Sequence, residues 1–99
     1  MDFQKMMQQA QQMQEQLQRR MAEMRIDGTA GGGMVIVTVS GNKQLLRLRL
    51  DPEVVSKDDV EMLQDLIVAA VNDAHRKVDE ALAHQMSGMM GGLKLPGMS

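Results

Sequence analysis

The sequence contains no cysteine, which removes disulfides, thiol nucleophiles and thiolate metal sites together and suits a reducing compartment. Its single aromatic residue is Phe3; proteins that hold single strands stack bases on Phe, Tyr or Trp, so that class is set aside. No apolar run approaches the roughly 20 residues of a membrane span, and the Gln-rich N-terminus lacks the basic stub and apolar stretch of a signal peptide. An excess of positive charge is missing as well. The 99 residues carry 11 Lys+Arg against 13 Asp+Glu, a formal charge of -2, so any contact with nucleic acid is a local patch rather than bulk attraction. The expectation is a soluble cytoplasmic protein of one small domain with no membrane partner.

What is abundant is methionine, 12 residues. Met fills irregular gaps but specifies packing poorly, and a chain this short buries only a modest part of its surface alone. Self-association is therefore expected.

Along the chain, Phe3, Met6, Ala10, Met13, Leu17 and Met24 recur at helical spacing between Asp2 and Met24, which predicts a helix with a narrow apolar seam. Gly31-Gly32-Gly33 cannot be helix interior and marks a tight reversal; with no Lys-Ser/Thr and no helix after it, it is not a phosphate-binding loop. Met34 to Val39 reads as a strand. Gly41-Asn42 suits a two-residue type II′ turn, which would set Ser40 opposite Lys43, Val37 opposite Leu46 and Val35 opposite Leu48. Val35, Val37, Val39, Leu46, Leu48 and Leu50 then share one face, and Ile36, Thr38, Leu45, Arg47 and Arg49 the other. Asp51-Pro52 stops the second strand. Ser56 with Asp59 reads as a capping box opening a second helix that runs to about Met86, apolar nearly all round from Leu66 to Val71. The fold class is α+β, in the order helix, three-stranded antiparallel sheet, helix. Residues 1–86 form the domain and residues 87–99 a flexible Gly/Met-rich tail. Helices of roughly 33 and 44 Å overhang strands of about 23 Å, and the overhanging apolar surface calls for a second copy.

Catalytic chemistry finds little to work with. His75 and His84 are nine residues apart, on opposite sides of one helix, and cannot share a metal. The Met86, Met89 and Met90 group is read as tail composition rather than a copper site. No catalytic residue, metal, cofactor or small-molecule substrate is expected. Cations instead fall in clusters: Arg19-Arg20, Arg47 with Arg49, and Arg76-Lys77.

Ala30-Gly31-Gly32-Gly33 leading into Val-x-Val-Thr-Val, Gly41-Asn42 followed by a Leu-rich strand into Asp51-Pro52-Glu53-Val54-Val55, and Leu66 to Ala74 together resemble the YbaB/EbfC family of bacterial nucleoid-associated proteins. Gly91-Gly92-Leu93-Lys94-Leu95-Pro96-Gly97 and the Met/Gln-rich first helix match as well, so the resemblance spans essentially the whole chain. It implies a homodimer whose sheets join at a hub while the helices project as tweezer-like arms, and a non-enzymatic role in binding double-stranded DNA and organising the nucleoid. Ile36 departs from the family pattern, standing where Lys is common, and His75-Arg76-Lys77 stands where a simpler Lys-containing run is usual. Leu66 to Ala74 is a packing motif and transfers no DNA contact.

Placement of the DNA site rests on geometry. If both helices meet the sheet at one place, Lys5 and Arg76 each lie about 19 residues, roughly 28 Å, out along their arms and should be level. Lys5, Arg19, Arg20, Arg76 and Lys77 are then the expected DNA-binding residues, touching phosphate rather than base edges. Ordinary solvated charge is the alternative reading of these cations. Phe3, Met6, Met13, Leu17, Leu66, Ile67 and Val71 are the expected dimer contacts. A protein-interaction scaffold that uses the Met-rich helices is the competing function.

Overall fold

The computed structural model describes residues 2–90. Helix α1 spans Phe3–Glu23; the Asp2 carboxylate caps its N-terminus, accepting the Gln4 N–H at 3.2 Å. The chain then turns extended at Met24, and the Arg25 guanidinium donates to the carbonyls of Ala22 (2.8 Å) and Met24 (2.9 Å), placing a cation at the negative end of the helix dipole.

Three antiparallel strands follow, β1 (Ile26–Ala30), β2 (Val35–Val39) and β3 (Leu45–Leu50), in the order β1-β2-β3. Ala30 pairs with Val35 across the expected reversal. Gly31, Gly32 and Gly33 all have positive φ (64°, 69° and 93°), which a side chain would strain.

The β2–β3 connection differs from the expected two-residue turn. Ser40 N–H donates to the Gln44 carbonyl and Lys43 N–H to the Ser40 carbonyl, both at 3.0 Å. The loop is therefore Gly41-Asn42-Lys43, and Lys43 rather than Gly41 takes the left-handed conformation (φ 64°), as in three-residue hairpin loops built on a type I turn. Gly41 serves packing instead. Its N–H donates to the Met21 carbonyl at 2.8 Å, and a Cβ there would lie 2.8 Å from Met24 Sδ. Val35 pairs with Leu50 and Val37 with Leu48, two residues along from the expected partners. One residue of that slip comes from the longer loop. The other comes from a bulge between the Thr38 and Val39 pairings, where Val39 faces Leu45 and Leu46 is left without a partner on β2. Because the slip is even, Leu48 and Leu50 still share the Val35 and Val37 face.

Asp51 caps a single 3-10 turn, Pro52–Val54, by accepting the Glu53 N–H at 3.0 Å. Helix α2 runs Val60–Met90. Its cap is Asp59, which accepts the Met62 N–H at 3.0 Å; Ser56, expected as the cap, instead accepts from Asp58 N–H one turn earlier. The helix continues past the expected end at Met86, and the rest of the expected tail, residues 91–99, lies outside the described residues.

The core joins one face of the sheet to α2: Val35, Val37, Val39, Val54, Ala70, Ala74 and Val78 are buried, with Leu63, Leu66, Ile67, Val71 and Leu82 packed around them. Gly28 on β1 lets α2 approach, since a Cβ there would lie 2.6 Å from the Ala74 Cβ. The segment from Leu66 to Val71 is enclosed less than expected: Ala70 is buried but Val68 is 59% exposed. No residue of α1 is buried, and it leaves the body as an arm. The radius of gyration is accordingly 19.4 Å, against about 13 Å for a compact chain of this length.

Candidate nucleic-acid interface

Topology decides where the cations stand. An odd number of antiparallel strands puts the entry and exit of the sheet at opposite ends. Helix α1 joins at the Ile26 and Val39 end, whereas α2 starts beyond Leu50 and runs back over the sheet: Leu66 lies against Gly31, and Asp79 pairs with Lys43 at 2.9 Å at the far end. Arg76 therefore sits beside the sheet, not about 28 Å out along a free arm, and it is not level with Lys5. The expected geometry required both helices to meet the sheet at one end, as they would with two strands.

Arg76 and Lys77 are held by α2 itself. The Asp73 carboxylate accepts the Thr29 N–H of edge strand β1 at 3.0 Å, bonds Lys77 Nζ at 3.1 Å and pairs with Arg76. Lys77 also donates to the Asp27 carbonyl, and Arg76 reaches Glu80, both at 3.3 Å. The Thr29 N–H first, then Lys77 and Arg76, lower the Asp73 pKa to about 2. The cluster fastens α2 to β1, and its cations are already matched by carboxylates. The Asp-x-x-Arg-Lys spacing, i to i+3 and i+4 on a helix, was the signal for this in the sequence.

The remaining expected residues are free of such pairing. Lys5, Arg19 and Arg20 are exposed and make no ion pair among the described residues. At 100° per residue they fall within about 100° of arc on α1, spread over roughly 22 Å. Beside them runs the apolar seam, uncovered: Phe3 is 75% and Met13 71% exposed, and Met6 and Leu17 are exposed too. Of the expected dimer residues on α2, Leu66, Ile67 and Val71 are half-buried against their own core.

On the sheet face away from α2, Arg49 stands opposite Ile36 and Arg47 opposite Thr38, with Thr29 and Asp27 next in line on β1. His75 is half-buried and His84 exposed. Among the described residues no group of His, Asp and Glu side chains is arranged to hold a metal ion, and no helix is long and apolar enough to cross a membrane.

Comparison with known proteins places this architecture. A model of the YbaB/EbfC DNA-binding family matches residues 1–93, and the chain belongs to that family, whose members are non-enzymatic. It is 56% identical over 92 residues to a nucleoid-associated protein of Koribacter versatilis, covering 93% of this chain and 91% of the relative. A nucleoid-associated protein of Caldanaerobacter subterraneus is 46% identical over 96 residues, covering 94% and 86%. In three dimensions the chain is similar to the crystal structure of an uncharacterized protein from Helicobacter pylori, with a TM-score of 0.71 and 26% identity, covering 91% of this chain and 98% of that one.

Proposed function

We propose that two copies of the chain pair and that the dimer binds double-stranded DNA with little sequence preference, organising the nucleoid in the cytoplasm and thereby affecting gene expression. The carrying observation is the α1 arm, on which Lys5, Arg19 and Arg20 make no ion pair among the described residues and stand beside an exposed apolar seam. Apolar side chains at helical spacing with no cover among the described residues call for a second helix, and cations beside them would be doubled by two-fold pairing. The relatives named as nucleoid-associated support the same reading. Contact is to phosphate, the sequence-independent partner of cations spread over roughly 22 Å of helix. Arg76 and Lys77 join it only where phosphate displaces Asp73 and Glu80. Fluorescence anisotropy with unrelated duplexes across a salt series tests the proposal: similar affinities for all sequences and a steep fall with salt are expected. The second reading, a protein-interaction scaffold, draws on the exposed Phe3, Met6, Met13 and Leu17 seam, and absence of duplex binding at low salt would favour it.

A further inference from the structure

Strand β3 reads Leu-Leu-Arg-Leu-Arg-Leu, and the pleat sends Arg47 and Arg49 to the side of the sheet that α2 does not cover. Among the described residues nothing else covers it, and α1 buries no residue of its own. Both guanidinium groups are exposed, and neither takes part in an ion pair among the described residues, whose salt bridges use Lys43, Arg76 and Lys77. Of the residues of β1, β2 and β3 on this face the acidic one is Asp27, two strands away from Arg47, roughly 10 Å, and its Oδ1 accepts the Thr38 hydroxyl at 2.7 Å; Asp51, two residues after Arg49, accepts the Glu53 N–H at 3.0 Å.

We infer that this open sheet face is a second phosphate-binding surface, on which Arg47 and Arg49 hold the backbone of duplex DNA. The inference rests on the DNA-binding reading above and adds to it a surface on the body of the protein, distinct from the α1 arm. Residues i and i+2 of a strand are about 6.8 Å apart, so Arg47 and Arg49 stand side by side on one face and can reach neighbouring phosphates of one DNA strand. Arginine suits the task, because its planar fork meets a phosphate with two parallel hydrogen bonds. The occupant is duplex rather than single strand, for the face carries no aromatic side chain on which a base could stack.

The test uses the full chain and a mixed-sequence duplex, with affinity measured from 50 to 200 mM salt. Wild type, R47Q/R49Q and R47K/R49K are compared. The Gln variant should lower the salt slope by about 1.8 for each protomer in contact, so that the affinity lost across that range shrinks about tenfold per protomer; the Lys variant should keep most of the slope. In the wild-type protein, β3 amide resonances should shift on titration with the duplex, a readout that needs no variant. An unchanged slope for R47Q/R49Q, or shifts confined to α1, would overturn the inference while leaving DNA binding in place. An unchanged slope together with weakened self-association would overturn it and assign the face to a second copy. A wild type that binds no duplex at all would instead overturn the proposed function.

Discussion

The carboxylate of Asp73, on the middle of α2, accepts the backbone N–H of Thr29 on edge strand β1 at 3.0 Å. An edge strand has N–H groups that no neighbouring strand satisfies, and here one is capped by a helix side chain that also gathers Arg76 and Lys77. Two cations that the sequence offers for DNA are drawn into holding the fold together.

That bond makes stability pH-dependent. The folded Asp73 pKa, about 2, lies below its ordinary value near 3.8. Its contribution is therefore fully present above pH 3.8 and is lost as pH falls from there through about 2. Urea unfolding should show Asp73→Asn weaker than wild type at pH 7, with the gap between them closing towards pH 2.

Gly28 should not tolerate a side chain. A Cβ there would fall 2.6 Å from the Ala74 Cβ and would meet α2 backbone as well, so the helix must move off the sheet. Gly28→Ala is expected to cost about 3 kcal/mol, read as a lower urea midpoint. An unchanged midpoint would mean that α2 and β1 do not approach as described.

The arm carries the expected self-association. Purified protein should sediment as a dimer at micromolar concentration, and Met13→Glu with Leu17→Glu, both exposed in the single chain, should shift it to monomer without loss of helix. A wild type that sediments as a folded monomer would sink the pairing proposal.

Unpaired and paired cations should behave differently. Arg19→Gln with Arg20→Gln is expected to reduce the salt slope of DNA binding by about 1.8 for each protomer in contact while leaving thermal stability within about 0.5 kcal/mol. Arg76→Ala with Lys77→Ala should do the reverse, lowering the melting temperature more than the slope, because those side chains already serve Asp73, Glu80 and Asp27. A larger slope change from the α2 pair would return the site to α2.

Local features of this protein were determined by the sequence alone. The Phe3 to Leu17 seam, the reversal at Gly31 to Gly33, the alternation of Val35, Val37 and Val39 and the stop at Asp51-Pro52 depend on a few neighbouring residues, and each is found where the spacing puts it. The strings from Ala30 to Gly33 and Leu66 to Ala74 likewise carried the family, shown by the match over residues 1–93. Tertiary structure decided what spacing does not encode. Gly41 announced a turn, but its packing against Met21 and Met24, the left-handed Lys43 and the bulge opposite Val39 set the register. The apolar stretch from Leu66 to Val71 marked a buried part of a helix without saying which end of the sheet α2 would enter. With three strands it enters at the end opposite α1, which sets Asp73, Arg76 and Lys77 beside β1 rather than out along an arm, while Arg47 and Arg49, on the other face, make no ion pair among the described residues. The carboxylates that pair with Arg76 and Lys77 are legible on their own helix, but the contacts that tie this cluster to β1, Asp73 to the Thr29 N–H and Lys77 to the Asp27 carbonyl, join residues 44 and 50 apart in the chain, which no local spacing encodes.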